Sequence, residues 1–149
     1  MMIDGILFSA SSPDRTRLLL EDMKACGWTE LSRLDLNRND VLTQVRDADP
    51  TVVVIDLGVP DRTARDNAFR VARTGRWPVV IFTDQSDDDA TEAAMAAGVA
   101  GYVVSGLEPG RLRNVVQTAI SRFREMERLR RERDEAVSAF DAVWCPVGR

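Results

Sequence analysis

The chain has no histidine at all, and its only lysine is Lys24. The first absence removes imidazole acid–base catalysis, histidine-bound zinc and any phosphohistidine relay. The second leaves arginine as the source of nearly all positive charge. Cysteine is scarce: Cys26 and Cys145 form no metal-binding spacing and suggest no disulfide framework, which fits a reducing cytosol. No apolar run approaches membrane-spanning length, and the N-terminal Met1-Met2-Ile3-Asp4 lacks the basic and apolar regions of a signal peptide. A cytoplasmic protein with no membrane contact is therefore expected. The net charge of −4 argues against nucleic-acid binding by these residues.

What is present is enough for one domain. A chain of 149 residues with 44% hydrophobic content can bury a proper core and carry a short appendage. Its organising stretch runs from Thr51 to Asp61, where Val52, Val53, Val54 and Ile55 read as a short strand buried on both faces. That strand delivers Asp56 at its C-terminal end, followed by Gly58 and Pro60. In a parallel α/β sheet, chemistry gathers beyond the strand C-termini, so Asp56 is a candidate site residue; an isolated Asp there more often ends a strand and caps a turn, and the rest of the chain decides between the two.

The remaining chain alternates strands and helices. Met2–Ser9 reads as a first strand, and Ser12-Pro13-Asp14 opens a helix that turns Leu18, Leu19, Met23 and Cys26 to one side before Gly27. Trp28–Leu36 is a weaker second strand, and Asn39 or Asp40 starts a helix with Val41, Leu42 and Val45. Arg62–Arg73 is a third helix closed by Gly75, Pro78–Thr83 a fourth strand, Asp87–Ala97 a fourth helix ending at Gly98, and Ala100–Val104 a fifth strand. A last helix is expected from Glu108 to about Phe140. Short links between alternating elements call for a flavodoxin-like, five-stranded parallel sheet of order 2-1-3-4-5 with right-handed crossovers and an extended C-terminal helix.

Asp56 with Pro60 four residues on, Thr83 ending the fourth strand, Ala97-Gly98 after the fourth helix and Tyr102 before Val103-Val104 appear in the order and spacing of a known pattern. From Ile6 to about Arg124 the chain resembles the receiver domain of two-component response regulators. Phe82-Thr83-Asp84-Gln85 and the run Gly101–Leu107, followed by an Arg-rich helix, resemble the receivers of ANTAR antitermination regulators. The resemblance implies signalling rather than metabolic catalysis, so no enzyme activity is expected. It also implies a phosphoacceptor role for Asp56 and a switch made of Thr83 and Tyr102, with Gly58, Pro60 and Ser105 lining the site.

Two departures alter that expectation. Phosphorylatable receivers carry acidic residues after the first strand to hold Mg²⁺, and here those positions are Ala10 and Ser11. The lysine that ends the fifth strand in such receivers is replaced by Ser105, and Lys24 lies in the first helix. Each lost carboxylate–Mg²⁺ contact forfeits several kcal/mol, since unit charges ~4 Å apart at an effective dielectric of ~20 interact by ~4 kcal/mol. The metal and the lysine would both have stabilised the transferring phosphoryl group. The expected function is therefore an atypical, pseudo-receiver signalling domain acting through protein contacts, with no cofactor. The alternative is a Mg²⁺-dependent phosphoacceptor modified at Asp56; Asp84 and Asp87-Asp88-Asp89 could recruit a cation there, or could simply cap the fourth helix. A nucleotide- or flavin-binding enzyme is disfavoured, because Ala10-Ser11-Ser12-Pro13 is no Gly-rich phosphate loop.

The last helix is too long for one small domain. Leu112, Val115, Val116, Ala119, Ile120 and Phe123 form its sheet-facing half, and Phe123, Met126, Val137 and Phe140 continue a seven-residue pattern interrupted by Arg130 and Arg133. We expect a receiver-like domain over residues 1–122 and a stalk and tail over 123–149, without the RNA-binding module of the resembled family. Its six arginines from Arg122 to Arg133 are interleaved with glutamates, so no nucleic-acid patch is expected. The expected partners are a second copy, paired through this helix, and a sensor kinase or regulatory protein.

Overall fold

The computed structural model describes residues 5–59, 61–85, 87–104 and 110–144, with side chains as far as residue 139. In chain order the elements are β1 (Gly5–Ser9), α1 (Pro13–Ala25), β2 (Glu30–Arg33), α2 (Val41–Ala48), β3 (Val52–Gly58), α3 (Arg62–Arg73), β4 (Val79–Thr83), α4 (Asp88–Ala97), β5 (Gly101–Val104) and α5 (Arg111–Trp144). The strands form one sheet of order β2-β1-β3-β4-β5, and every neighbouring pair is parallel. This is the order expected from the sequence.

Alternation along β3 explains its unbroken apolar run. Val53 and Ile55 point to one face and pack with Val41 and Val45 of α2, Phe69 and Val71 of α3 and Ala94 of α4. Val52 and Val54 point to the other and meet Leu19 and Met23 of α1 with Leu112, Val116 and Ile120 of α5. Because helices cover both faces, neither side of the strand can be polar until its end. Each such side chain contributes ~1.5–3 kcal/mol on burial.

Several local expectations shift. Leu19 and Met23, one helical turn apart, are the buried face of α1, whereas Leu18 is rotated away and 40% exposed. Leu20, not Leu18, packs partly against the sheet. The edge strand β2 covers only Glu30–Arg33, because Leu34 and Leu36 turn into the α2 side of the core. There the Gln44 side chain holds both the N–H and the carbonyl of Asp35. The last helix continues to Trp144, four residues past the expected end, since neither glycine nor proline occurs between Arg111 and Trp144. It starts at Arg111 rather than at Glu108, because Gly110 stands at φ +82 and breaks the helical path; Glu108 itself lies outside the described residues.

At ~1.5 Å per residue the 34 residues of α5 span about 51 Å. Its first three turns bury Leu112, Val116, Ala119 and Ile120, and every described side chain from Arg128 onward is exposed. Among the described residues no helix is long and apolar enough to cross a membrane.

Candidate functional site

The site forms where β3 ends. The register against β4 shifts between Asp56, opposite Phe82, and Gly58, opposite Thr83. That bulge needs Gly58 at φ +61, and a Cβ there would stand 2.6 Å from the Ser11 hydroxyl, so glycine alone allows the β3 end to close on the β1–α1 loop. The closure seals Asp56. Its side chain is 0% exposed, and three donors reach it. Arg15 Nη1 donates to Oδ1 at 2.8 Å, the Gly58 N–H to Oδ1 at 3.2 Å and the Ser11 hydroxyl to Oδ2 at 3.2 Å.

Arg15 comes from the first turn of α1. Ser12 caps that helix by accepting from the Arg15 N–H at 3.3 Å, and Pro13 at the first helical position sets the turn. The guanidinium then forks: Nη1 holds Asp56, and Nη2 lies 2.5 Å from Asp84 Oδ2, just past β4. The hydrogen bond to Asp84, then the charges of Asp56 and Asp84, raise the Arg15 pKa above its ordinary value against the opposing effect of burial.

Thr83 is fully buried, with Oγ1 3.1 Å from the Gly58 carbonyl and 2.9 Å from that of Gln85, so its one proton is engaged with backbone at either position. The Asp84 N–H donates to the same Gly58 carbonyl at 2.8 Å. Tyr102 of β5 packs partly buried against the α2–α4 side of the core and lines a cavity of about 360 Å³ with Leu57, Phe69 and Gln85. Asp87 caps α4, accepting from the Ala90 N–H at 2.7 Å, and Asp88 and Asp89 occupy its first turn. Ala10 and Ser11 line a second cavity of about 540 Å³ beside Asp56, between the ends of β1, β2 and β3. Asp56, Gly58, Ser11 and Thr83 thus converge on one spot, Ala10 borders it and Tyr102 stands one strand away. Pro60 and Ser105 lie outside the described residues.

The donor set is unsuited to the divalent cation of a phosphorylatable receiver. Magnesium requires several oxygen ligands in octahedral array. The loop after β1 offers a methyl group and a hydroxyl already engaged with Asp56. A guanidinium occupies the space between Asp56 and Asp84. Among the described residues no cluster of three metal-ligating side chains is present.

Solved structures establish the architecture. A receiver domain of a modulated diguanylate cyclase from Desulfovibrio desulfuricans G20 superposes with a TM-score of 0.69 at 17% identity, covering 84% of this chain and 99% of that one. A CheY-like receiver domain protein from Methanospirillum hungatei gives 0.69 at 12% identity, over 84% of this chain and 99% of its own. The receiver domain of a putative LuxO repressor from Vibrio parahaemolyticus also gives 0.69, at 16% identity over 86% and 98%. The fold is that of the response-regulator receiver. In sequence, the chain is 34% identical over 83 residues to the transcriptional regulatory protein PdtaR of Mycobacterium tuberculosis, a match that spans 56% of this chain and 40% of that protein. The chain thus spans well under half the length of the curated relatives it matches. No family model matches.

Sequence reasoning missed Arg15 and treated Asp56 as having lost its supporting charge. An arginine does sit beside it. One signal was available: a cation in the first turn of a helix opposes the macrodipole, and such a residue needs carboxylates close by.

Proposed function

We propose that this chain is an atypical receiver domain of a transcription regulator of the ANTAR antitermination type, acting through protein contacts rather than through phosphoryl transfer at Asp56. The observation that carries this reading is the state of the Asp56 carboxylate, which has no exposed surface and is held by Arg15, Gly58 and Ser11. A nucleophile so covered is shielded from a phosphodonor, and the Arg15 guanidinium stands between Asp56 and Asp84, the acids that would otherwise share a metal. The ANTAR assignment rests on the run Phe82–Gln85, on Gly101–Val104 and on the likeness to PdtaR, a transcriptional regulatory protein. In this reading α5 is the output element. Its exposed Met126, Leu129 and Val137 pair with a second copy, and a sensor or regulatory protein engages the domain.

Incubation with acetyl phosphate and Mg²⁺, or with beryllofluoride, followed by intact mass measurement and calorimetry, tests the proposal. No modification and no binding heat are expected. Mg²⁺-dependent addition of one phosphoryl group, abolished in Asp56→Asn, would sink it. That result belongs to the second reading, a conventional phosphoacceptor. Asp56 near the end of β3, Thr83 ending β4 and Tyr102 on the neighbouring β5 favour this alternative, which requires Arg15 to swing out.

A further inference from the structure

The receiver reading implies a divalent cation at the end of β3, and the residues there do not fit one. We infer that Arg15 is a positioning residue that replaces that cation with one attached to the chain, and that it clasps the β4–α4 turn to the end of β3. The inference rests on the receiver reading and deepens it.

Two carboxylates from different strand ends would repel if left facing each other. Asp56 has a fully buried side chain, and Asp84 one that is 31% exposed. The guanidinium meets both at once, one terminal nitrogen to each, a two-handed geometry that a planar fork supplies and a point charge does not. Arg15 is itself only 27% exposed and is aimed by its own turn, through the bond from its N–H to Ser12. Placing a cation in the first turn of a helix is unfavourable unless acids compensate it, and here two do.

The clasp reaches beyond the pair. Asp84 also donates its N–H to the Gly58 carbonyl, Thr83 turns its hydroxyl toward the same oxygen, and Asp87, three residues after Asp84, caps α4. A single side chain from α1 therefore ties the end of β3 to the end of β4 and to Asp84, where the β4–α4 turn begins. The position of that turn is set from inside the chain, independent of divalent cations and phosphodonors.

Amide hydrogen exchange and Mn²⁺ line broadening by NMR on the full chain test this. In the native chain, millimolar Mn²⁺ should leave the Gly58 and Asp84 amides sharp. In Arg15→Ala the Asp84 amide, which donates to Gly58, should exchange roughly tenfold faster or more. The two uncompensated carboxylates should now draw Mn²⁺ and broaden Gly58 and Asp84. Arg15→Lys, with one ammonium in place of a fork, should exclude the metal yet leave the turn loosened. Asp84→Ala, which removes one arm while keeping the Arg15–Asp56 bridge, should also loosen the turn without gaining metal affinity, and it decides the clasp if Arg15→Ala does not fold. Native-chain broadening at Gly58, an Arg15→Ala protein lacking either the loosening or the metal affinity, or native exchange in Asp84→Ala overturns the inference. Phosphoryl uptake is scored separately by mass, so an acceptor with an intact clasp refutes the proposed function alone, and a loose turn in an unmodifiable chain refutes the clasp alone.

Discussion

Arg15 Nη2 stands 2.5 Å from Asp84 Oδ2, so a side chain from the first turn of α1 closes over the end of β4. The same guanidinium neutralises the buried Asp56. Removing one partner of a buried pair and leaving the other charge uncompensated costs ~3–5 kcal/mol. Arg15 retains some solvent contact, which places Arg15→Ala near the lower end, about 3 kcal/mol. Asp56→Asn in the Arg15→Ala background should recover much of that loss. Urea denaturation of the four proteins checks the cycle, and a neutral Arg15→Ala would refute it. Because the Arg15 pKa is raised on folding, its contribution is complete below the ordinary arginine range and is lost only as pH climbs past the higher folded value. Alkaline buffers in common use should leave the bridge intact.

Gly58→Ala strikes the same site from the backbone. An alanine there would have to hold φ near +61, and its Cβ would meet the Ser11 hydroxyl at 2.6 Å. Backbone strain of this kind costs ~1–3 kcal/mol. The added methyl must also push Ser11 off Asp56. Combining it with Ser11→Ala should relieve the collision but not the strain, recovering only part of the loss in thermal denaturation. Full recovery would show that φ is not restrictive here.

The sheet was legible because its signal is local. Four β-branched residues before Asp56, glycine after each of three helices and proline before β4 mark elements whose identity depends on near neighbours. The strand order followed from short alternating links. Boundaries were less readable where tertiary packing decides: Leu34 still donates its N–H to the Phe8 carbonyl of β1, but beyond it the chain turns so that Leu34 and Leu36 fill the α2 side of the core. The site was half legible. Asp56 and Thr83 announce themselves by ending strands, whereas the arginine between Asp56 and Asp84 lies 41 and 69 residues from its partners. No local pattern carries a contact over that separation.

Asn67 is a polar residue within a helix face that is otherwise apolar. It is buried in α3, and its Nδ2 donates to the Leu36 carbonyl at 2.6 Å, tying α3 to the β2–α2 loop. Asn67→Ala leaves that carbonyl without its partner, a change expected to destabilise by ~1–3 kcal/mol. The loop borders the cavity beside Asp56, so hydrogen exchange should also quicken at Asn37 and Arg38. Unchanged stability would mean that water replaces the amide at no cost.

The projecting part of α5 carries a charge ladder. Arg128 bonds Glu125 at 2.5 Å and Glu132 at 2.6 Å. The Arg128 hydrogen bond lowers the Glu125 pKa from its ordinary value of 4.5. A carboxylate lowered on folding contributes above that ordinary value and loses its contribution as pH falls through the lower folded one. Ellipticity at 222 nm should therefore decline slightly below about pH 4.5 in low salt. High salt or Arg128→Ala should flatten the decline, because these groups are fully exposed and screened. An acid transition identical in Arg128→Ala would place its origin elsewhere.

The last prediction concerns which side of α5 meets a second copy. The seven-residue pattern read from the sequence used Phe123, Met126, Val137 and Phe140, interrupted by Arg130 and Arg133; the Phe140 side chain lies outside the described residues. The structure divides that set. Phe123 is half-buried beside the domain, and Arg130 reaches back until its Nη1 stands 3.8 Å from where a Cβ on Gly75 would be. The apolar groups left in water are Met126 at 60%, Leu129 at 47% and Val137 at 53% exposure, with Arg133 between them. Spacings of three, four and four keep these four residues on one stripe, and only one charge interrupts it. That stripe is the expected seam, and burying each of its apolar side chains contributes ~1.5–3 kcal/mol. Leu129→Glu should convert a dimer at tens of micromolar to monomer in sedimentation equilibrium, as should ending the chain near Arg124. Phe123→Ala should lower thermal stability but leave association unchanged. A monomeric native chain, or a dimer indifferent to Leu129→Glu, would show that α5 does not pair along this stripe.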